Sequence, residues 1–223
     1  MKTLVFDTCL NKTYVALSLD GKIESKIIEN QNQKYHSAFL ISTIVDFLKK
    51  HALRIQDFDV FGVNLGPGSF TGIRACISVA RVFAQQADKP LVGVSSLEIL
   101  SKINKTSQNS LILLDARRKQ VYAAVYSKDG GEILAPCLVD LEKIGDFDLK
   151  GSFIISDEAT LPFIKEHGAE AVDYAAEDVD LGQYLSEIVT ERFNKGAKED
   201  FIWAKSKPLY LQSPPVSCQK AAK

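Results

Sequence analysis

The chain of 223 residues reads as an α/β protein of two duplicated lobes, each a mixed β-sheet flanked by helices. Three observations predict this. A short pattern near the N-terminus occurs again about a hundred residues later. In the first copy, strand-like and helix-like apolar segments alternate in the order expected of a mixed sheet. The chain is also 46% apolar, enough to pack two lobes, each of about 100 residues.

The first copy opens with the strand "TLVFD", the turn "TCLNK" and the strand "TYVALSL", and Asp20-Gly21 forms a hairpin turn. The second opens within "LILLDARRKQVYAAVYSKDGG", residues 111–131. Superimposing Asp7 on Asp115 places Tyr14 on Tyr122, each seven residues on, and each tyrosine leads into a strand and an Asp-Gly turn. The pattern predicts an internal duplication. The first copy continues with the helix "HSAFLISTIVDFLKK" and the strand "VFGVNL". A glycine loop, a helix from Thr71 to Ala87 and the strand "LVGV" follow. The looser second copy has the strand "GSFIIS" and the helices "ATLPFIKEH" and "LGQYLSEIVTERFNK". The lobes are set at 1–106 and 107–223, with the last helix or tail free to pack back on the first lobe. The tail "PPVSCQKAAK" reads as frayed.

Composition narrows the function classes. No apolar run reaches the roughly 18 residues of a membrane span, and Asp7 comes too early for a signal-peptide core. Cysteines stand singly at 9, 76, 137 and 218, with no C-x-x-C pair. Reduced thiols in a cytoplasmic protein are the expectation. With 27 basic and 28 acidic residues, the net charge of −1 is no nucleic-acid footprint by itself. Any RNA role would be shared with a partner.

The loop "GPGSFTGIR" fits neither nucleotide fingerprint. Counting from Gly66, Thr71 stands where a P-loop has its second glycine, and no lysine follows. G-x-G-x-x-G fails at the same residue. Gly66 and Gly68 open backbone angles closed to other residues, Pro67 stiffens the turn, and Ser69 or Thr71 caps the next helix. On that helix Arg74, Ser78, Arg81 and Gln85 share one stripe, and nearly everything else is apolar or small. Burial within the lobe or cover by another protein would each account for such a surplus. On the preceding helix, Leu40, Ile41, Ile44, Val45, Phe47 and Leu48 are expected to face the sheet. Phe39 instead points outward among Ser42, Thr43, Asp46, Lys49 and Lys50. Together the two helices predict an interaction patch.

Self-sufficient chemistry is missing. The three histidines, 36, 51 and 167, form no His-x-x-x-His pair, and no G-x-S-x-G elbow occurs. Asp7 and Asp115 end strands in turns that hold metal-phosphate groups in phosphotransferases, although turn-forming aspartates are the plainer reading. "DARRK" adds a small basic cluster.

The "FDT" and "LDA" hairpins with "GPGSFTGIR" between them resemble the TsaB (YeaZ) family. "GVSSLEIL", "LLDARRKQVYAAVY" and "PLYL" support the resemblance, while Ala38 and Gln212 depart from the usual pattern. It implies an actin-like, Hsp70-like ATPase (ASKHA) fold and a non-catalytic subunit for N6-threonylcarbamoyladenosine formation at position 37 of ANN-decoding tRNAs. The implied partners are a TsaD-like catalytic paralogue, a TsaE-like ATPase and, through the complex, tRNA. No cofactor is implied on this chain alone; ATP and a divalent metal belong to the partner complex. The implied partner interface is His36, Phe39, Leu40, Thr43, Arg74, Ala75, Ser78, Val79 and Val82. The family loop is Gly66, Pro67, Gly68, Ser69, Phe70, Thr71 and Gly72, which sets the launch of the second helix. Asp7, Thr8, Asp115, Arg117 and Arg118, with Lys119, are candidate phosphate or tRNA contacts. The same apolar patch predicts a homodimer of the isolated chain. The competing classes are an ATP-dependent phosphotransferase and a metallopeptidase homologue.

Overall fold

The computed structural model describes residues 1–28 and 39–212. The first sheet is built from β1 (Lys2–Asp7), β2 (Tyr14–Leu19), β3 (Lys22–Ile27), β4 (Val60–Asn64) and β5 (Leu91–Val94), in the order β3-β2-β1-β4-β5. β1 and β2, and β2 and β3, pair antiparallel, whereas β4 joins β1 and β5 joins β4 in parallel. The second sheet repeats this plan with β6 (Asn109–Arg117), β7 (Gln120–Tyr126), β8 (Glu132–Asp140), β9 (Ser152–Ser156) and β10 (Val172–Asp173). Its order is β10-β9-β6-β7-β8, with the same antiparallel and parallel pairings. This repetition is the duplicated two-sheet plan that the sequence predicts.

The β1 sequence explains its central place. Leu4, Val5 and Phe6 are all fully buried, as an inner strand covered on both faces requires. Leu4 and Phe6 pack with α1 (Leu40–Lys50) and α2 (Phe70–Ala87) on the outer face. Val5 belongs to the central core between the lobes. That core is completed by an exchange of helices. α5 (Leu181–Lys195) follows the second sheet but lies against all five strands of the first, and α3 (Ser96–Ser101) packs on β6 and β7. Gly62 makes the α5 contact close, because a Cβ there would stand 2.4 Å from Val189 Cγ2. Arg192 of α5 holds α3 by donating to Glu98 Oε2 at 2.5 Å, and β5 by donating to Gly93 O at 2.8 Å. A third core, with Leu111, Leu113, Ile144 and Ile164, backs the second sheet.

The second copy departs from the first where α1 would stand. A 3-10 stretch, Leu141–Asp146, fills that place, and the following helix α4 (Leu161–Glu166) is short. β8, β10 and α3 are elements that the sequence reading does not contain. The frayed reading of the tail "PPVSCQKAAK" falls on residues outside those described. No helix among the described residues is long and apolar enough to cross a membrane.

Candidate functional site

Two features of the first lobe carry the functional question. One is the pocket around Asp7 and the glycine loop, and the other is the outer face of α1 and α2.

β1 ends at Asp7, which is completely buried. Its Oδ1 accepts the Cys9 amide at 2.6 Å and its Oδ2 accepts Asn64 Nδ2 at 2.8 Å. Asn64 Oδ1 in turn accepts the Gly66 amide at 2.8 Å and Ser96 Oγ at 2.9 Å. Burial pushes the Asp7 carboxyl up to about 6, against the pull of those two donors. Desolvation likewise raises the Cys9 thiol and the Tyr14 hydroxyl. Tyr174, from the second lobe, accepts the Asn11 amide at 3.4 Å beside this turn.

The glycine loop is pressed onto the same turn. A Cβ at Gly68 would lie 2.4 Å from Cys9 O, and one at Gly72 only 1.8 Å from Thr8 O. Gly66 has φ +95, the left-handed region glycine favours. The Ser69 amide donates to Cys9 O at 2.8 Å, Thr8 Oγ1 donates to Gly72 O at 2.7 Å, and Ser69 Oγ caps α2 by accepting the Gly72 amide. The amides of Gly66, Ser69 and Gly72 therefore already have partners within the chain. A phosphate cradle needs such groups free and pointing at the ligand. The glycines serve close packing of loop on hairpin and the launch of α2.

The second hairpin does not reproduce this pocket. In the first copy Asp7 pairs across the ladder with Tyr14, whereas in the second Tyr122 pairs with Leu114 and Asp115 with Val121. The slip, with an irregularity between Asp115 and Arg117, leaves Asp115 exposed. Its amide donates to Asp157 Oδ2 and its Oδ1 accepts the Arg117 amide, both at 2.8 Å. No hydrogen bond joins Asp7 to Asp115 among the described residues. The expectation of two matching aspartate turns is corrected in its chemistry: one aspartate is sealed and the other is a surface turn.

On the outer face, the helix phases decide which residues reach solvent. In α1 the inward stripe is Leu40, Thr43, Ile44 and Phe47, spaced i, i+3, i+4 and i+7. Leu40 and Thr43 are therefore lining of the lobe's own core, a correction to their expected place in an interface. Ile41 and Val45, expected to face the sheet, instead point outward with Phe39. Phe39 is 42% exposed and Ile41 54%. His36 lies outside the described residues. In α2 the inward stripe is Gly72, Ile73, Cys76, Ile77, Ala80 and Ala84. Arg74, Ser78 and Val82 are exposed, and Ala75 and Val79 are half-buried.

The surplus apolar face of α2 is partly covered by the chain itself, which the sequence reading left open. Trp203 lies under Arg81, whose guanidinium is 5.4 Å from the ring centre. Tyr210 stacks on Phe70 at 5.3 Å and its hydroxyl accepts Arg74 Nε at 3.0 Å. The Leu209 amide donates to Leu65 O at 2.8 Å. Phe39, Ile41, Val45, Phe70 and Val82 nevertheless remain exposed, apolar side chains on one layer of one lobe.

The family model described as TsaD, tRNA N6-adenosine threonylcarbamoyltransferase, matches residues 22–190. The tRNA threonylcarbamoyladenosine biosynthesis protein TsaB of Escherichia coli is 30% identical over 58% of this chain and 56% of its own length. The protein of the same name from Bacillus subtilis is 32% identical over 59% of this chain and 57% of its own. The chain thus spans little more than half the length of these curated relatives. Among solved structures, YeaZ from Pseudomonas aeruginosa superimposes with a TM-score of 0.75 at 21% identity, covering 94% of this chain and 99% of that one. That likeness is one of fold.

Proposed function

The chain belongs to the family whose model is described as TsaD, tRNA N6-adenosine threonylcarbamoyltransferase, and is similar to TsaB proteins over part of their length; we propose that it is a TsaB-type, non-catalytic subunit of the machinery forming N6-threonylcarbamoyladenosine in tRNA. In this reading it works in the cytoplasm by docking the α1 and α2 face onto a TsaD-like paralogue. That paralogue carries the transfer chemistry, with ATP and a divalent metal in the assembled complex. A TsaE-like ATPase and tRNA complete the assembly, and without the paralogue the same face pairs two copies of this chain.

The observation that carries the reading is the set of exposed apolar side chains Phe39, Ile41, Val45 and Val82 on the α1–α2 layer, beside Phe70, which Tyr210 covers only in part. Apolar side chains gathered on one layer mark an interaction surface more often than a solvated one. The buried Asp7 supports the absence of a bond-making role. A phosphotransferase needs such a carboxylate open to a metal-bound nucleotide, and here it is tied to Cys9 and Asn64.

The test is a reconstituted reaction. TsaD-like and TsaE-like proteins, the adenylate-forming enzyme and an ANN-decoding tRNA are mixed with and without this chain, and the modified nucleoside is measured by mass spectrometry. Modification that depends on the chain is the expected result. An equal yield without it overturns the proposal.

A further inference from the structure

The hairpin joining β6 to β7 is built in an unusual way. Arg117 pairs with Gln120, so Arg118 and Lys119 are its two turn residues. Arg117, Arg118 and Lys119 have φ values of 61°, 53° and 57°. Positive φ at both turn positions is the geometry that Asn-Gly or Asp-Gly fills without strain. The chain uses that solution between β2 and β3, where Asp20 and Gly21 have φ of 51° and 87°. At the β6–β7 turn it places three long cationic side chains in the left-handed region instead, a conformation sterically disfavoured for each of them. A strained arrangement held by its surroundings is characteristic of functional positions.

Those surroundings are firm. The Arg117 amide donates to Asp115 Oδ1 at 2.8 Å, and the Leu141 amide donates to Lys119 O at 2.8 Å. Gln120 Nε2 donates to Asp140 Oδ1 at 3.2 Å, and Gln120 Oε1 accepts Gln212 Nε2 at 3.1 Å. Asp115 and Asp140 are thus engaged at the base of the hairpin. Asp157 takes the Asp115 amide, and Asp140 lies within ion-pair distance of Lys143. At the tip, Arg117, Arg118 and Lys119 are all exposed. None of the three makes an ion pair or a side-chain hydrogen bond among the described residues. No exposed large apolar side chain accompanies them within the turn, so the tip lacks the buried anchor that centres a protein–protein contact.

We propose that this tip grips the phosphate backbone of the tRNA, giving a chain of net charge −1 its own direct contact with the nucleic acid. The inference rests on the function proposed above, which supplies the RNA. Unpaired cations on a turn whose backbone is held bind phosphates and position the RNA without reading its bases. The energetic preference of the turn for Asn-Gly then gives the proposal a distinctive signature: relieving the strain should weaken RNA binding.

The experiment compares the wild-type chain with Arg118→Asn/Lys119→Gly and with Arg117→Gln, each assembled with the TsaD-like partner. An unmodified ANN-decoding tRNA transcript is titrated by fluorescence anisotropy between 50 and 200 mM salt. The slope of log K against log salt should become shallower by roughly one for each cation removed. The double variant should also melt at a higher temperature than wild type. Unchanged affinity and slope in a folded, partner-bound variant overturn the proposal. If the wild-type chain neither binds the partner nor supports modification, the proposed function fails instead. Titration of the chain alone with the same transcript then still decides for or against the hairpin.

Discussion

Gly72 stands in the first turn of α2, where glycine is a poor helix former. Replacing a helical glycine by alanine ordinarily stabilises a protein by up to about 1 kcal/mol. Here the added Cβ would lie 1.8 Å from Thr8 O and 2.8 Å from the carbonyl carbon. An ordinary carbon–oxygen contact is roughly 3.3 Å, so helix and hairpin turn must part by about 1.5 Å. The parting strains the Thr8 Oγ1 bond to Gly72 O and the Ser69 amide bond to Cys9 O. Such bonds contribute about 1 kcal/mol each, and overpacking adds about 1–3 kcal/mol. Less the helix gain, Gly72→Ala should destabilise by about 2–4 kcal/mol. At this chain length that lowers Tm by roughly 5–15 °C. Urea unfolding followed by Trp203, the single tryptophan, measures it. A variant as stable as wild type, or more stable, would refute the idea that the loop glycines exist for close packing.

Three further outcomes are expected. Because the folded Asp7 carboxyl sits near 6, above its unfolded value, the protonated form is favoured on folding. Its contribution is full below about pH 4 and is lost by about pH 7, a change of about 3 kcal/mol. The stability of Asp7→Asn relative to wild type should therefore rise by that amount between pH 4 and 7, and a flat difference in urea titrations counts against the sealed pocket. Phe39→Lys should leave stability within about 0.5 kcal/mol yet weaken capture of the TsaD-like partner. Leu40→Ala should cost about 2–5 kcal/mol by opening the core, and equal unfolding of both variants would contradict the helix phase. Tyr210→Ala removes the stack on Phe70 and the Arg74 bond, together about 1 kcal/mol. Cleavage of the C-terminal segment under limited proteolysis should then run about fivefold faster.

The duplication was legible because strands and hairpin turns leave local marks. The Asp-Gly turns and apolar runs of β1, β2, β6 and β7 locate themselves. β8 was not legible, because "EILAPCLVD" carries a proline and no fully buried side chain, so its alternation is weak. β10 has two residues, too few for any period. The phase of α1 escaped the reading because Thr43 took an inward place while Ile41 and Val45 took outward ones. Counting apolar residues favours the reverse assignment, and only contact with the sheet decides it. The Asp7 pocket depends on Asn64 and Ser96, which come from separate elements with no shared motif. The tail's cover over α2 joins residues more than a hundred positions apart, such as Arg74 and Tyr210, and no local signal announces it.

The crossing of α3 and α5 between the sheets bears on how this molecule can be divided and how it can move. A polypeptide cut after residue 106 would lose α5, and Val5, Ala16 and Val92 would lose the side chains that cover them. The downstream piece would in turn lack α3. Neither fragment is a module that could be borrowed or shuffled by itself. Rotation of one half about the other would have to slide both helices sideways under the Arg192–Glu98 clasp, so the molecule should answer a ligand or partner as a stiff body and not as a hinge.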